Sequence, residues 1–278
     1  MNIIESHLCG KRPDQSLCED GYVVTHHFAA VIDGSTSKVK GRNGGKEAMM
    51  LVKEAISTLP PEAGKAEMLS ALTRVIAHRN PQEALSQAAY RLTCSAVIFS
   101  QRRRVVWMVG DCQCRWEGQT HTHPKAVDAL LTRVRCEVTH HLLQHGHSAE
   151  ELRHNDLGRA FILHDLRMQT QFQNDRTPHN PFSYPVLDGT EIDPDKVPEL
   201  TVPHSTDCII LASDGYPMLC DTLQESEAEL ARLLLEDPLC IDENAGTKGW
   251  TEGNRSFDDR CYLKLYIGHE PNAALCDA

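Results

Sequence analysis

The sequence has no apolar run approaching the ~18–20 residues that a membrane-spanning helix needs. Its opening, Met1–Arg12, lacks a basic flank followed by an apolar stretch, so no secretory signal is expected. Cations are scarce: Lys and Arg total 28 against 39 Asp and Glu, a formal net charge of −11. That balance argues against nucleic acid or an anionic membrane as the main partner, because each needs a cationic face. Neither a G-x-x-x-x-G-K-[ST] loop nor a G-x-G-x-x-G turn is present, which removes the common nucleotide-binding loops. The 11 cysteines are odd in number and follow no small-scaffold spacing, so they read as reduced core residues of a cytoplasmic protein.

What the chain does contain is ordinary globular composition, 41% hydrophobic and 24% charged over 278 residues. Residues 21–34 read as two β-branched strands joined by a turn, and residues 45–59 carry an apolar period near 3.6 that Pro60-Pro61 ends. Residues 62–79 repeat the helical pattern, and residues 81–92 suggest a third helical piece. Strands are expected at 93–100, 104–109 and 112–117, helices at 125–145 and 149–173. A loop-rich connection over 174–202 holds a short strand around Phe182–Leu187. A strand at 208–212, a helix at 223–235 and a closing strand at 261–267 follow. Strands and helices come in groups rather than in strict alternation, so the fold class is α+β with mostly antiparallel sheets. One domain over 1–270 is expected, with a short tail at 271–278.

One local event recurs: an apolar strand ends and an acidic residue stands at its tip. It occurs at Asp33-Gly34, Asp111, Asp214-Gly215 and Asp258-Asp259, and Glu19-Asp20 precedes the first strand of the set. A strand end fixes a side chain at a sheet edge, and a following glycine lets a ligand approach the backbone. Carboxylates gathered in one place repel unless a cation sits among them, and hard divalent ions want oxygen ligands. Two such ions suit hydrolysis of a phosphate ester.

In order, these segments resemble the metal-dependent serine/threonine protein phosphatases, the PPM or type 2C family. The matching pieces are Glu19-Asp20, Ala30-Val31-Ile32-Asp33-Gly34, Gly44-Gly45-Lys46-Glu47-Ala48, Thr93-Cys94-Ser95-Ala96-Val97, Val109-Gly110-Asp111-Cys112, Ala212-Ser213-Asp214-Gly215 and Asp258-Asp259. The resemblance implies two packed antiparallel sheets flanked by helices on both sides, a four-layer α-β-β-α sandwich. It implies two Mg²⁺ or Mn²⁺ ions, a hydroxide bridging them as nucleophile, and a phosphorylated protein as substrate. Asp33 would bridge both ions and the Gly34 carbonyl would bind one. Asp214 and Asp258 would hold the other, Glu19 and Asp20 would act through bound water, and Asp111 would serve a third, weaker position. The chain departs from the family pattern at Ser35-Thr36-Ser37-Lys38, where a His or Met and two glycines usually follow Asp-Gly, so no general acid is assigned. The family's phosphate-binding Arg is replaced by Gln15, with Arg12 as the nearest substitute and Lys38 as runner-up. Met218 stands where a third-metal carboxylate often lies. A weakly active or inactive binding module, and a small-molecule phosphatase on the same scaffold, are the alternative readings.

Other signals read as structural. Cys112-x-Cys114 with His121-x-His123 has zinc-ligand residue types but reads as core cysteines beside a His-rich turn. His140, His141, His145 and His147 read as a solvated helix end, Arg102-Arg103-Arg104 as a solubilising hairpin tip, and Trp107 and Trp116 as core.

Overall fold

The computed structural model describes residues 1–36, 44–85 and 87–268. Among the described residues ten strands form two sheets. The first sheet takes the order β1 (Asn2–Cys9), β10 (Arg260–Tyr266), β9 (Cys208–Ala212), β6 (Gln113–Trp116) and β7 (Gln119–His121). The second takes β2 (Gly21–Val24), β3 (Phe28–Gly34), β4 (Cys94–Ser100), β5 (Val105–Val109) and β8 (Glu199–Thr201). Neighbouring strands are antiparallel throughout.

The apolar character of β3, β4 and β5 follows from burial on both faces. Ala29, Val31, Val97, Phe99 and Met108 point between the sheets and meet Leu211, Cys261 and Leu263 of the other sheet. Alternate residues Ala30, Ile32, Ala96, Ile98 and Trp107 point outward beneath α1 (Gly44–Ser57) and α2 (Lys65–Arg79). The helical period read from the sequence is the face α1 buries, with Ala48, Met49, Val52, Ala55 and Ile56 inward. The outer face of the first sheet carries Ile210, Ala212 and Tyr262. It packs on Tyr216, Leu219 and Leu223, the last opening α6 (Leu223–Glu236). Helices therefore flank both sheets, as the resemblance implied.

Between β7 and β8 the chain adds α3 (Ala126–Gln144), α4 (Ala149–His154) and α5 (Leu157–Met168). Val127 and Leu131 of α3 pack on Ile162 and Leu166 of α5 and on Tyr184 and Val186. Arg135 of α3 is fully buried and donates to the carbonyls of Leu239, Cys240 and Gly246 and to Asp156.

Several sequence expectations are corrected. β1 is a strand beyond those expected from the sequence, and its apolar residues Ile3, Ile4 and Leu8 remain largely exposed at a sheet edge. Residues 81–92 form two short 3₁₀ turns, Gln82–Leu85 and Ala88–Tyr90, rather than a helix. The strand expected near Phe182–Leu187 reduces to isolated bridges, Cys94 with Leu187 and Gln173 with Tyr184, while the paired strand is β8. The His-rich turn includes β7, where His121 stacks on Trp116 at 4.2 Å. Arg104 is no solubilising residue: it is buried and donates to the carbonyls of Ile267, Pro203 and Thr206. Of the ten described cysteines, seven are buried, Cys112 and Cys114 between the sheets. Lys38, the rest of the segment 37–43, and the tail 271–278 lie outside the described residues.

Candidate active site

Antiparallel pairing brings the acidic strand tips to one end of the sandwich. Gly21 pairs with Ile32, so the start of β2, preceded by Glu19-Asp20, lies beside Asp33 at the end of β3. Ala96 pairs with Val109, placing the end of β5, and Asp111 just beyond it, at the same edge. In the other sheet Ala212 pairs with Tyr262 and Cys9 with Arg260. Asp214, Asp258-Asp259 and Lys11 therefore gather at the facing edge. Two sheets stacked face to face then close these tips into one cleft of about 550 Å³, lined by Asp33, Gly34, Asp111, Asp214 and Asp258.

Glycine permits the tightest approach in this wall. A Cβ on Gly45, at the start of α1, would stand 2.6 Å from the carbonyl carbon of Gly34, so the helix can abut the Asp33-Gly34 corner only if both are glycine. On the other side Gly110 takes φ of 91°, a left-handed conformation that turns the chain and presents Asp111 to the cleft.

Carboxylate oxygens of Asp33, Asp111 and Asp214 lie within 4.8 Å of one another. Their electrostatics are unequal. Burial first, then the charges of Asp20 and Asp214, push the Asp33 carboxyl well above the ordinary aspartate range. Asp214 has open cleft on one side and dense protein on the other. That crowding, with the charges of Asp111 and Asp258, raises it to about 6. Asp20 is 2% exposed; burial and the neighbouring carboxylates raise it well above the usual range, although the Ser213 hydroxyl opposes the shift. Its Oδ2 is buried without a partner among the described residues. Burial would raise Asp111 too, but Lys125 at 2.7 Å outweighs it and holds this carboxyl low, assisted by the Ser95 hydroxyl at 2.7 Å.

Asp258 stands apart from the three converging oxygens. Lys11 Nζ lies 2.6 Å from its Oδ1, and Lys248 Nζ pairs with its Oδ2. These cations outweigh burial and hold Asp258 well below the carboxylate range. Asp259 is 4% exposed and structural, accepting from the backbone N–H groups of Lys11 at 2.7 Å and Glu19 at 3.0 Å. Glu19 is 8% exposed; burial raises its carboxyl, and the Thr36 hydroxyl donates to its Oε2 at 2.5 Å. Arg12 is exposed and lines the cleft.

The structure thus gathers Asp33, Asp111 and Asp214 tightly. Asp20 and Glu19 lie behind them, Asp258 beside them and Arg12 at the rim. Sequence reading missed the lysines. Lys125 follows Pro124 at the start of α3, Lys11 directly precedes Arg12, and Lys248 sits in a polar loop, and no spacing marks any of them. The donor set suits hard divalent cations: Asp33 and Asp214 raised by burial and by neighbouring carboxylates, an orphaned buried oxygen at Asp20, and no sulfur or imidazole among the converging atoms.

Comparison with known proteins agrees. The family model described as protein phosphatase 2C matches residues 10–236. Among curated protein sequences none matches significantly. Solved structures with a loose likeness include the serine/threonine phosphatase PstP/Ppp of Mycobacterium tuberculosis, at 16% identity over 95% of this chain and 98% of that one, TM-score 0.45. Stp1 of Staphylococcus aureus is similar at 14% identity over 97% and 96%, TM-score 0.49. The catalytic domain of PstP in complex with two manganese ions overlaps at 16% identity over 94% and 96%, TM-score 0.44. At such scores the family match carries the assignment. It spans most of the chain, and the chain belongs to the protein phosphatase 2C family of metal-dependent protein phosphatases.

Proposed function

We propose that the chain hydrolyses phosphoserine and phosphothreonine in proteins with two Mg²⁺ or Mn²⁺ ions held in the acidic cleft. The observation that carries this reading is the convergence of Asp33, Asp111 and Asp214 to within 4.8 Å, above the orphaned oxygen of Asp20. Asp33, Asp214 and Asp258, with the Gly34 carbonyl, would hold the two ions. Glu19 and Asp20 would engage them through water, and Asp111 would serve a weaker third position. When bound, such ions lower the pKa of water and neutralise charge on phosphoryl oxygens.

The remaining work falls to the chain. The Thr36 hydroxyl and the Asp259 carboxylate, which accepts the Glu19 N–H, fix Glu19, and Ser95 with Lys125 fixes Asp111, so each carboxylate is held in one orientation. Arg12 offers a planar fork to a phosphate dianion. We assign this activity to one domain, residues 1–270, working in a reducing cytoplasm that keeps its free cysteines as thiols. Among the described residues no helix is long and apolar enough to cross a membrane.

Hydrolysis of an aryl phosphate and of phosphopeptides, with Mn²⁺ and with a chelator, tests the reading. Activity should require the metal and fall at least ~10²-fold in Asp33→Ala or Asp214→Ala, a common loss when one group acting on the transition state is removed. Hydrolysis indifferent to chelation discards it. Preference for phosphorylated metabolites over phosphopeptides would move the substrate to small molecules.

A further inference from the structure

Asp258 meets two ammonium groups at once, one on each carboxylate oxygen: Lys11 on Oδ1 at 2.6 Å and Lys248 on Oδ2. Both lysines line the cleft that holds Asp33 and Asp214. They reach it from opposite ends of the chain. Lys11 follows β1 and is fixed by its backbone, whose N–H donates to Asp259 and whose carbonyl accepts from Arg255. Its side chain is 13% exposed, and Nζ also reaches the Thr36 hydroxyl at 3.4 Å. Lys248 sits in the loop after α6, beyond the stretch that matches the family model. The buried Arg135 holds that loop through the Leu239, Cys240 and Gly246 carbonyls, and Asp156 holds it through the Gly249 N–H.

A carboxylate bound on both oxygens by lysines must give up at least one of these ion pairs when a divalent ion takes that oxygen. Conversely, an ion on Asp258 frees two ammonium groups beside a substrate phosphate, whose dianion is a stronger partner than one carboxylate. We propose that Lys11 and Lys248 form a two-position cation pair that occupies Asp258 in the metal-free protein and binds the phosphoryl group of the substrate in the loaded one. This adds Lys11 and a C-terminal loop to the phosphate recognition that the sequence placed at Arg12 or Lys38. It rests on the metal-dependent reading above.

Substituting Lys248 separates this role from a merely structural one, because the two expected effects have opposite signs. In Lys248→Met, Mn²⁺ titrated calorimetrically into chelator-stripped protein should bind about 3–5-fold more tightly, since a partly exposed competing ion pair has been removed. Inorganic phosphate should then bind the Mn²⁺-loaded variant about 10-fold more weakly, and KM for a phosphopeptide should rise while kcat changes little. Lys248→Arg should retain phosphate affinity near the parent value, and Lys11→Met should reproduce both effects. Equal or weaker Mn²⁺ binding in Lys248→Met, or unchanged phosphate affinity, overturns the cation pair while leaving the phosphatase reading intact. A parent chain that binds no Mn²⁺ overturns both.

Discussion

Asp33 and Asp214 bring carboxylate oxygens within 4.8 Å of one another although they belong to different sheets, one closing β3 and the other following β9. Two buried carboxylates this close repel, and a retained proton relieves the repulsion. Burial and the surrounding acids favour that proton on Asp33, while Asp214 is raised to about 6. The metal-free cleft therefore stores protons that a divalent cation must expel.

Proton release follows directly. Both carboxyls bind protons more tightly in the folded than in the unfolded chain. Their contribution to metal-free stability is thus present below the unfolded aspartate pKa and is lost as pH rises through the folded values. Mn²⁺ restores it by replacing protons. Calorimetry in two buffers of different ionisation enthalpy is expected to show net proton release at pH 6, and Mn²⁺ affinity should climb between pH 5 and 7. Affinity that is flat across this range would contradict the retained protons.

Neutralising Asp33 should separate stability from function. Asp33→Asn keeps the shape and fixes the neutral state that this buried carboxyl otherwise reaches only by holding a proton. The metal-free variant is expected to melt at or a few degrees above the parent, and to lose most of the Mn²⁺-induced rise in Tm along with activity. Thermal scans with and without Mn²⁺ measure both effects.

The Gly34–Gly45 approach sets another expectation. In Gly45→Ala the added Cβ would press on the Gly34 backbone at 2.6 Å, and backbone on both sides leaves little room to yield. Overpacking of this kind costs about 1–3 kcal/mol, visible as a lower urea midpoint. Mn²⁺ affinity should fall as well, because the strain displaces the Asp33-Gly34 corner. Gly118→Ala, where a Cβ meets open space at positive φ, is the control for generic backbone strain.

Arg135 is a structural anchor with a functional reach. Replacing it with Leu would leave the Leu239, Cys240 and Gly246 carbonyls and Asp156 without this donor. A loss of about 3–5 kcal/mol is expected, the range for breaking a buried charged contact. Hydrogen exchange should rise first in residues 239–249, and phosphate binding through Lys248 should weaken.

Much of the acidic cleft was legible because each ligand candidate stands at a strand tip, a position marked by an apolar run meeting Asp. Ala29–Ile32 and Cys208–Ala212 are apolar because they are buried between layers, so the tips at Asp33 and Asp214 followed from the strands. Which carboxylates converge was not legible: Asp111 joins Asp33 and Asp214, while Asp258 turns to lysines. That choice depends on long side chains from α3 and two loops, and their direction leaves no local trace. β1 escaped notice for a related reason. An edge strand whose Ile3 and Ile4 stay exposed shows no alternation to read. Arg104 was misassigned because hydrogen bonding to three carbonyls, rather than charge, explains its burial.

With the reactive acids divided between the two halves of the sandwich, the interlayer packing of Val31, Phe99, Leu211 and Leu263 acts as a spacer for the chemistry. A slide of one layer over the other by the width of a methyl group would change the carboxylate separations directly. Residues that touch no ion and no phosphate thereby calibrate the grip on both.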